Sequence, residues 1–525
     1  MYRFFRTALG VMGLFCLLVI IGCEEEALPT VTVSGTVTGT NGPIEGATVF
    51  QSDNENVNAL TDATGTYSIN ITEGSTITAK AQGFTTLTAE GNTAQSVDFA
   101  LDIRDFPASF ATSGNQVLDP VFLPGSIQPT ADMGAVRDVS SDFFTDVDYK
   151  GAIDPDGTPW YAGWSFYDNI IAGNLRPDPL VIPSNIITVS DADMQAAGDE
   201  VYWTSDNLYL LDGFVFVNEG QTLYIEAGTV IYAKAGEASN ASALIVARGG
   251  TLMALGTAEA PIIFTYEGDT GEFQASLRGQ WGGLILLGSA GLNSAPGLSA
   301  IEGIPTGEAR GLYGVGEGYA QDDDDSSGVL RYVSIRHGGT LIGGDNEING
   351  LTLGGVGRGT TLEYIEVIGN RDDGIEWFGG TADAKYLIVA YCGDDGIDYD
   401  EGYRGNNQFV IVHQGPADAD RCSEFDGGTD PETAMPYAIP TFSNMTFVGN
   451  PSTRAMTLRD NAGGKFYNSI FTNSNRGIDI ENLPNSDSDA YQQWKDGNIV
   501  IENNVFFNIG AGDRNTDLFV ISDVD

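Results

Sequence analysis

Two segments, LEYIEVIGNRDDGIEWFGG from Leu362 and AKYLIVAYCGDDGIDYDEG from Ala384, superimpose at an offset of 22 residues. Tyr364 falls on Tyr386, Asp372-Asp373-Gly374 on Asp394-Asp395-Gly396, and Glu376 on Asp398. A looser third copy places Asp420-Arg421-Cys422-Ser423-Glu424-Phe425-Asp426-Gly427-Gly428 on Asp372 to Gly380. A unit this short cannot bury an apolar face alone, so its copies must stack. From about Val201 onward, apolar strands of about five residues recur between turns, and no helical periodicity of useful length competes. The pattern predicts a right-handed parallel β-helix over 201–525, each coil rising by about 4.8 Å.

Strand alternation then assigns faces. Ile375, Ile397, Ser423, Met456 and Ile478 form an inward row, and Glu376, Asp398, Glu424, Thr457 and Asp479 an outward one. A second outward row holds Phe378, Asp400, Asp426, Arg459 and Glu481. Asp398, Asp400, Glu424 and Asp426 would then form a square of carboxylates about 5 Å by 7 Å on a side. Like charges that close need a compensator: Ca²⁺ with oxygen ligands, a shared proton, or Arg404 or Arg459 folding across. These four residues are the candidate Ca²⁺ ligands, and a merely solvated acidic face is the competing account. The tandem aspartates 372–373 and 394–395 read as turn chemistry, since Asp-Asp-Gly bonds its own backbone in many turns. Asp322 to Asp325 read as a solvated acidic loop, and His413 as a rung residue.

Upstream, Thr30 to about residue 102 alternates Val, Thr and aromatic residues with polar ones between Gly and Asn turns, which predicts a small β-sandwich. The whole is therefore expected to be all-β: an N-terminal β-sandwich plus the β-helix. Between them, residues 103–200 lack sustained periodicity. Their aromatic patch (Trp160, Tyr161, Trp164, Phe166, Tyr167) is expected to pack as core, and the segment as a whole to cover the N-terminal end of the solenoid. The strand-like end at Phe519 to Asp525 leaves either a self-capped last coil or a chain that stops short of its natural end.

The composition of the 525 residues gives a net charge of -48, which opposes binding to nucleic acid phosphates and suits a Ca²⁺-rich exterior. Arg3 and Arg6 precede an apolar run ending in Ile20-Ile21-Gly22-Cys23, and Glu24-Glu25-Glu26 follow. The run is shorter than the roughly 20 apolar residues of a membrane span. It resembles the signal peptide of bacterial lipoproteins, which implies cleavage after residue 22, lipidation of Cys23 and a linker over 23–30. The acidic triplet resembles the export signal of surface lipoproteins in Bacteroidetes-type bacteria, and implies an outer-membrane anchor with the protein facing outward. Of the remaining thiols, Cys392 and Cys422 lie on neighbouring coils, and an exported pair could form a disulfide.

Three further resemblances bear on function. Gly35-Thr36-Val37, Pro43 to Val49 and Thr61 to Tyr67 resemble the carboxypeptidase regulatory-like domain over 31–102, which implies a non-catalytic spacer. Asp372 to Gly380 and Gly393-Asp394-Asp395 resemble segments of β-helical surface lipoproteins, which implies fold and address rather than a reaction. Pectate lyases of this fold bind Ca²⁺ on one sheet with an Arg or Lys base beside it, which implies Arg459 as base beside Asp398 and Glu424. The motifs of polygalacturonase-like hydrolases are matched only at Gly393-Asp394-Asp395, with His337 and His413 in neither required context. The expected function is a surface lipoprotein presenting a ligand face, for a glycan, on a Ca²⁺-stabilised β-helix. The alternative is a Ca²⁺-dependent polysaccharide lyase or glycoside hydrolase acting on an extracellular polysaccharide.

Overall fold

The computed structural model describes residues 29–522, apart from 40–41, 53, 81–86, 91–95, 102–112, 132, 176–181, 306, 343–346, 417–418, 429–430 and 484–487. The leader and Cys23 therefore lie outside the described residues. Among the described residues, no helix is long and apolar enough to cross a membrane. The chain divides into two compact units, 1–103 and 104–525.

In the first unit the strands Thr30–Gly39, Gly42–Pro43, Thr66–Thr72 and Phe99–Leu101 form one sheet. Thr48–Gln51, Asn54–Leu60, Thr76–Lys80 and Leu87–Glu90 form a second. Their alternation buries Val33, Val37, Tyr67, Ile69 and Phe99 from one sheet against Val49 and Ile77 from the other. A sandwich follows from that shared core.

The second unit is a parallel β-helix. A 17-stranded sheet wraps its flank and a 10-stranded sheet forms the opposite wall. In that wall each strand pairs in register with its equivalent one coil on: Ile375 faces Ile397, which faces Ser423, and Met456 faces Ile478. All five inward residues are fully buried, as are Tyr399, Phe425, Leu458 and Ile480 two positions later. Tyr399 and Phe425 stack at 4.2 Å between ring centroids. The Gly of each Asp-Asp-Gly is required by packing. A Cβ on Gly374 would sit 2.1 Å from Val389 Cγ1, and one on Gly396 would sit 2.3 Å from Val412 Cγ1.

On the flank, Tyr332, Tyr364, Tyr386, Phe409, Asn444, Asn468 and Asn503 share one column in the left-handed backbone region, with φ between 50° and 61°. The rings stack at 4.4, 4.3 and 5.0 Å. The aromatic patch packs onto this column from outside, with Trp160 and Trp164 edge-on to the tyrosines. The patch is core, as expected, and it lies on the flank rather than at the N-terminal end. Residues 113–171 run along the flank, and Gln116–Val117 adds a strand beyond Val505–Phe507 at the far end. Side-chain amides grip this strap: Gln408 exchanges two hydrogen bonds with the backbone of Thr145, and Asn468 two with Arg137. Buried Glu366 accepts from the backbone N–H of Phe166 and Tyr167. The N-terminal end is covered by a later part of the same 103–200 segment, the helix Asp191–Ala196, whose Met194 enters the solenoid core. Strand addition at one end and a helix at the other shield coil edges that would otherwise invite further pairing.

Candidate functional site

The outer side of the 10-stranded sheet changes character along its length. Over the early coils it is apolar and covered: Phe216, Ile245, Ile285 and Leu287 are buried under Ile301, Ile304 and Tyr313. Ile301 and Tyr313 belong to an insertion whose hairpin pairs Leu298–Ala300 with Leu312–Gly314. At its edge the face opens into a cavity of about 280 Å³ lined by nine carboxylates and Asn349. Glu302 comes from the insertion and Glu347 from the loop before Asn349. The coils supply Asp372, Asp373, Glu376, Asp394, Asp395, Asp398 and Glu424.

The outward row does point out of the coil, but it is not a solvated face. Glu376, Asp398 and Glu424 are each no more than 9% exposed, and Asp479 is fully buried. Register sets Glu376 beside Asp398 and Asp398 beside Glu424. Asn349 donates to Glu376 Oε2 and, at 3.3 Å, to Glu302 Oε1. Asp398 Oδ1 is buried with no hydrogen-bond partner. Burial, reinforced by neighbouring carboxylates, pushes Glu302 and Asp372 up to about 7. The same causes hold Asp373, Glu376 and Asp398 well above the usual carboxylate range. Ionising them together requires positive charge from outside the cluster.

The expected square divides in two. Glu424 and Asp426 are taken by arginine: Arg459 meets Asp426 through Nε at 2.8 Å and Nη2 at 3.2 Å, and Glu424 through Nη1 at 3.0 Å. Arg421 adds contacts to Glu424 at 2.8 Å and Asp420 at 2.6 Å. Asp400 accepts from the backbone of Glu401, and Arg404 turns away to Asp323 at 3.1 Å. Of the four, Asp398 alone belongs to a group whose carboxylate oxygens lie within 4.8 Å of one another, with Asp373 and Glu376. A second such group is Asp372, Asp373 and Asp394, and a third is Asp394, Asp395 and Asp420. The candidate ligand set is thus centred about one coil earlier than the row alternation placed it.

Of the tandem aspartates, Asp372 bonds its own turn, accepting from the Asp373 N–H, whereas Asp373 and Asp395 do not. Asp373 Oδ1 accepts from the Asp395 N–H at 2.8 Å, and Asp395 Oδ1 from the Arg421 N–H at 2.6 Å, so each ties one coil to the next. Their recurrence at 22 residues was the available signal, because a period of one coil stacks equivalent carboxylates at one strand spacing. Nothing in the repeat could have found Glu302 or Glu347, which arrive from other loops. The Asp322–Asp325 run is also structural: Asp325 accepts from Ser289 N–H and Asp323 from Gly291 N–H, both at 2.9 Å. His413 bonds Tyr167 Oη at 2.8 Å and burial pulls it down to about 4, consistent with a rung residue. The possible disulfide does not form: Cys392 and Cys422 are buried free thiols. Cys422 occupies the column of Gly374 and Gly396, whereas Cys392 precedes its own coil's turn, so the two sit in different columns.

The family profile described as a pectate-lyase-like β-helix domain matches residues 195–523, more than half of the chain. The chain belongs to this family. The match begins at the end of the helix that covers the first coil and runs through the last strand, so it spans the solenoid apart from the strands Ile186–Val189 and Gln116–Val117 and includes both halves of the carboxylate face. Neither a curated protein nor a solved structure matches the chain. A pectate-lyase-like solenoid is compatible with polysaccharide binding or with lyase chemistry.

Proposed function

We propose that this is a cell-surface binding protein that presents the open carboxylate face of its β-helix to a glycan, with Ca²⁺ held between that face and the ligand. One observation carries the reading: nine carboxylates, of which Asp373, Glu376, Asp395, Asp398 and Glu424 are buried and Asp398 Oδ1 is unpartnered, line a cavity at the edge of the covering insertion. Oxygen-only ligands in overlapping triads suit Ca²⁺, which takes six to eight oxygens at about 2.3–2.6 Å. Ca²⁺ would supply positive charge where Arg371 on Glu347 and Arg421 and Arg459 on Glu424 do not reach, and bridge to anionic groups of the polymer. Asp373, Glu376 and Asp398 would hold it. The N-terminal sandwich serves as a spacer of the carboxypeptidase regulatory-like kind. A lipid on Cys23 anchors the whole to the outer membrane.

The lyase reading has weaker support. Arg459 is pinned by two carboxylates, and its hydrogen bonds and ion pairs with them push its guanidinium further up against the effect of burial. A proton abstractor needs the opposite shift. The test is a panel of uronic-acid and neutral polysaccharides with Ca²⁺ or with chelator. Ca²⁺-dependent retention of an anionic polymer, with no near-ultraviolet absorbance from unsaturated products, is expected. Product formation would establish the lyase instead. A chelator-insensitive profile would remove the metal from the account.

A further inference from the structure

The turn after the strand Ala243–Val246 reads Ala247-Arg248-Gly249-Gly250. Gly249 takes a φ of 73°, and a Cβ there would lie 3.1 Å from Tyr319 Oη, so the glycine lets the covering insertion close onto the turn. Between turn and insertion lies a cavity of about 270 Å³ that shares no lining residue with the carboxylate cavity. Two arginines line it, and they are served differently. Arg310 makes five side-chain hydrogen bonds, to Glu308, Asp191 and Asn218, which uses every N–H of its guanidinium. Arg248 is 5% exposed, and only its Nη1 donates, to Gly314 O at 2.9 Å and Gly316 O at 3.1 Å. The Tyr319 ring centroid lies 4.4 Å from its guanidinium carbon, and Tyr319 Oη donates to Arg248 O at 2.8 Å. Among the described residues Arg248 forms no ion pair, and its Nε and Nη2 have no hydrogen-bond partner. Those two atoms form the edge of a guanidinium that takes a carboxylate through two parallel bonds. A buried cation without a counter-charge is costly, and a bound carboxylate would remove that cost.

The mouth has the opposite sign. Glu219 and Glu317 line the cavity and are exposed, and they act on Arg248 through space rather than by contact. A ligand with a carboxylate alone would meet repulsion there, whereas one that also carries an ammonium satisfies both charges. Ala247 and Leu312 leave an apolar wall beside them. The volume falls below the roughly 300–1,000 Å³ of sites for drug-sized ligands, which selects a single small molecule. We infer that this cavity binds a free α-amino acid with an aliphatic side chain, its carboxylate on Arg248 Nε and Nη2 and its ammonium towards Glu219 and Glu317. The site is separate from the carboxylate face and rests on neither the glycan nor the metal reading.

The experiment titrates the full chain with L-leucine, N-acetyl-L-leucine and L-leucinamide by calorimetry, in chelator and at about 0.15 M salt, which screens the acidic surface. L-Leucine should bind saturably at one site. Each blocked form lacks one of the two charges and should bind at least about tenfold more weakly, because a charged group of the site is left unpaired. Arg248→Lys keeps the charge but not the fork, and should weaken L-leucine at least about tenfold with unchanged circular dichroism. Glu219→Gln with Glu317→Gln, at exposed positions, should abolish the preference for L-leucine over its N-acetyl form, an outcome that a purely structural Arg248 would not produce. Absence of saturable L-leucine binding overturns the inference. Equal binding of the N-acetyl form by the unmodified chain overturns the role of the mouth, and equal binding of L-leucinamide overturns that of Arg248.

Discussion

Two stretches of one sheet face, a coil apart, solve the same electrostatic problem differently. In the column Asp373, Asp395, Arg421 and Arg454, the residue type switches from acid to base between one coil and the next. On the basic side, Arg421 and Arg459 neutralise Glu424 and Asp426 within the fold. On the acidic side, Asp372, Asp373, Glu376 and Asp398 face the cavity without such a partner among the ion pairs of the described residues, and Asp394 lies between the two, under the influence of Arg421 and Arg459. Each stretch holds buried carboxylates, Glu424 in one and Glu376 and Asp398 in the other, with Asp372 half-buried and Asp394 exposed on the acidic side. The first is a closed structural network, and the second is incomplete until something positive enters. Acidity alone does not mark a binding site; acidity that the chain itself leaves uncompensated does.

Removing Arg421 should break the contrast most. This side chain is 7% exposed and serves Asp395, Asp420 and Glu424. Arg421→Ala would leave buried Asp395 without its cation and Glu424 with Arg459 alone, at about 3–5 kcal/mol by denaturant unfolding in chelator. Ca²⁺ should then recover part of the loss, because the basic half has been turned into a copy of the acidic one.

A second effect is pH. In the metal-free protein Glu302, Asp372, Glu424 and Glu481 are raised to about 7, mainly by burial. In the unfolded chain they release their protons near pH 4. Folded pKa values above the unfolded ones mean stability that is complete below about pH 4 and is lost as pH rises through about 7. His413, lowered to about 4, acts the other way between about pH 6.5 and 4, as does His337 to a lesser degree. The four carboxylates outnumber the two histidines. The melting temperature in chelator should therefore be several degrees higher at pH 5 than at pH 8. Ca²⁺ should narrow that gap by stabilising the ionised form.

Smaller still, Glu376→Gln with Asp398→Asn should stabilise the metal-free protein at pH 8 by about 1 kcal/mol and remove the Ca²⁺-induced rise in melting temperature. Smallest is Asp420→Asn. The Asp420 side chain is 54% exposed, so its ion pair with Arg421 should contribute less than about 0.5 kcal/mol. A large loss there would mean that the exposed rim, rather than the buried row, holds the basic half together.

The repeat made the solenoid legible. A 22-residue offset with apolar residues every second position fixes the inward row, because side chains alternate strictly along a strand. Ser423 reads as inward as reliably as Ile397 and is equally buried. The same alternation gave the outward carboxylates but not their partners. Register says that Asp398 adjoins Glu424, but whether an arginine on a later coil folds back over Asp426 depends on rotamers and neighbours. The strap was missed for a related reason. Its own bonds, such as those of Gln128 to Asp154 and Gly157, join irregular turns without a period, and it is fixed to the solenoid by amides of Gln408 and Asn468 hundreds of residues away. No local pattern encodes that.

By itself, then, the sequence determined an all-β chain with a sandwich followed by a parallel β-helix, because period and alternation are local properties that stacking merely repeats. It also determined that carboxylates would line one outer face in columns. Tertiary structure alone decided which of those columns is a site. An insertion covers the early coils and brings Glu302, another loop brings Glu347, and two arginines close the later coils. The open pocket is what remains between them. Its position follows from desolvation and charge balance among residues far apart in the chain, quantities that exist only once the coils have stacked.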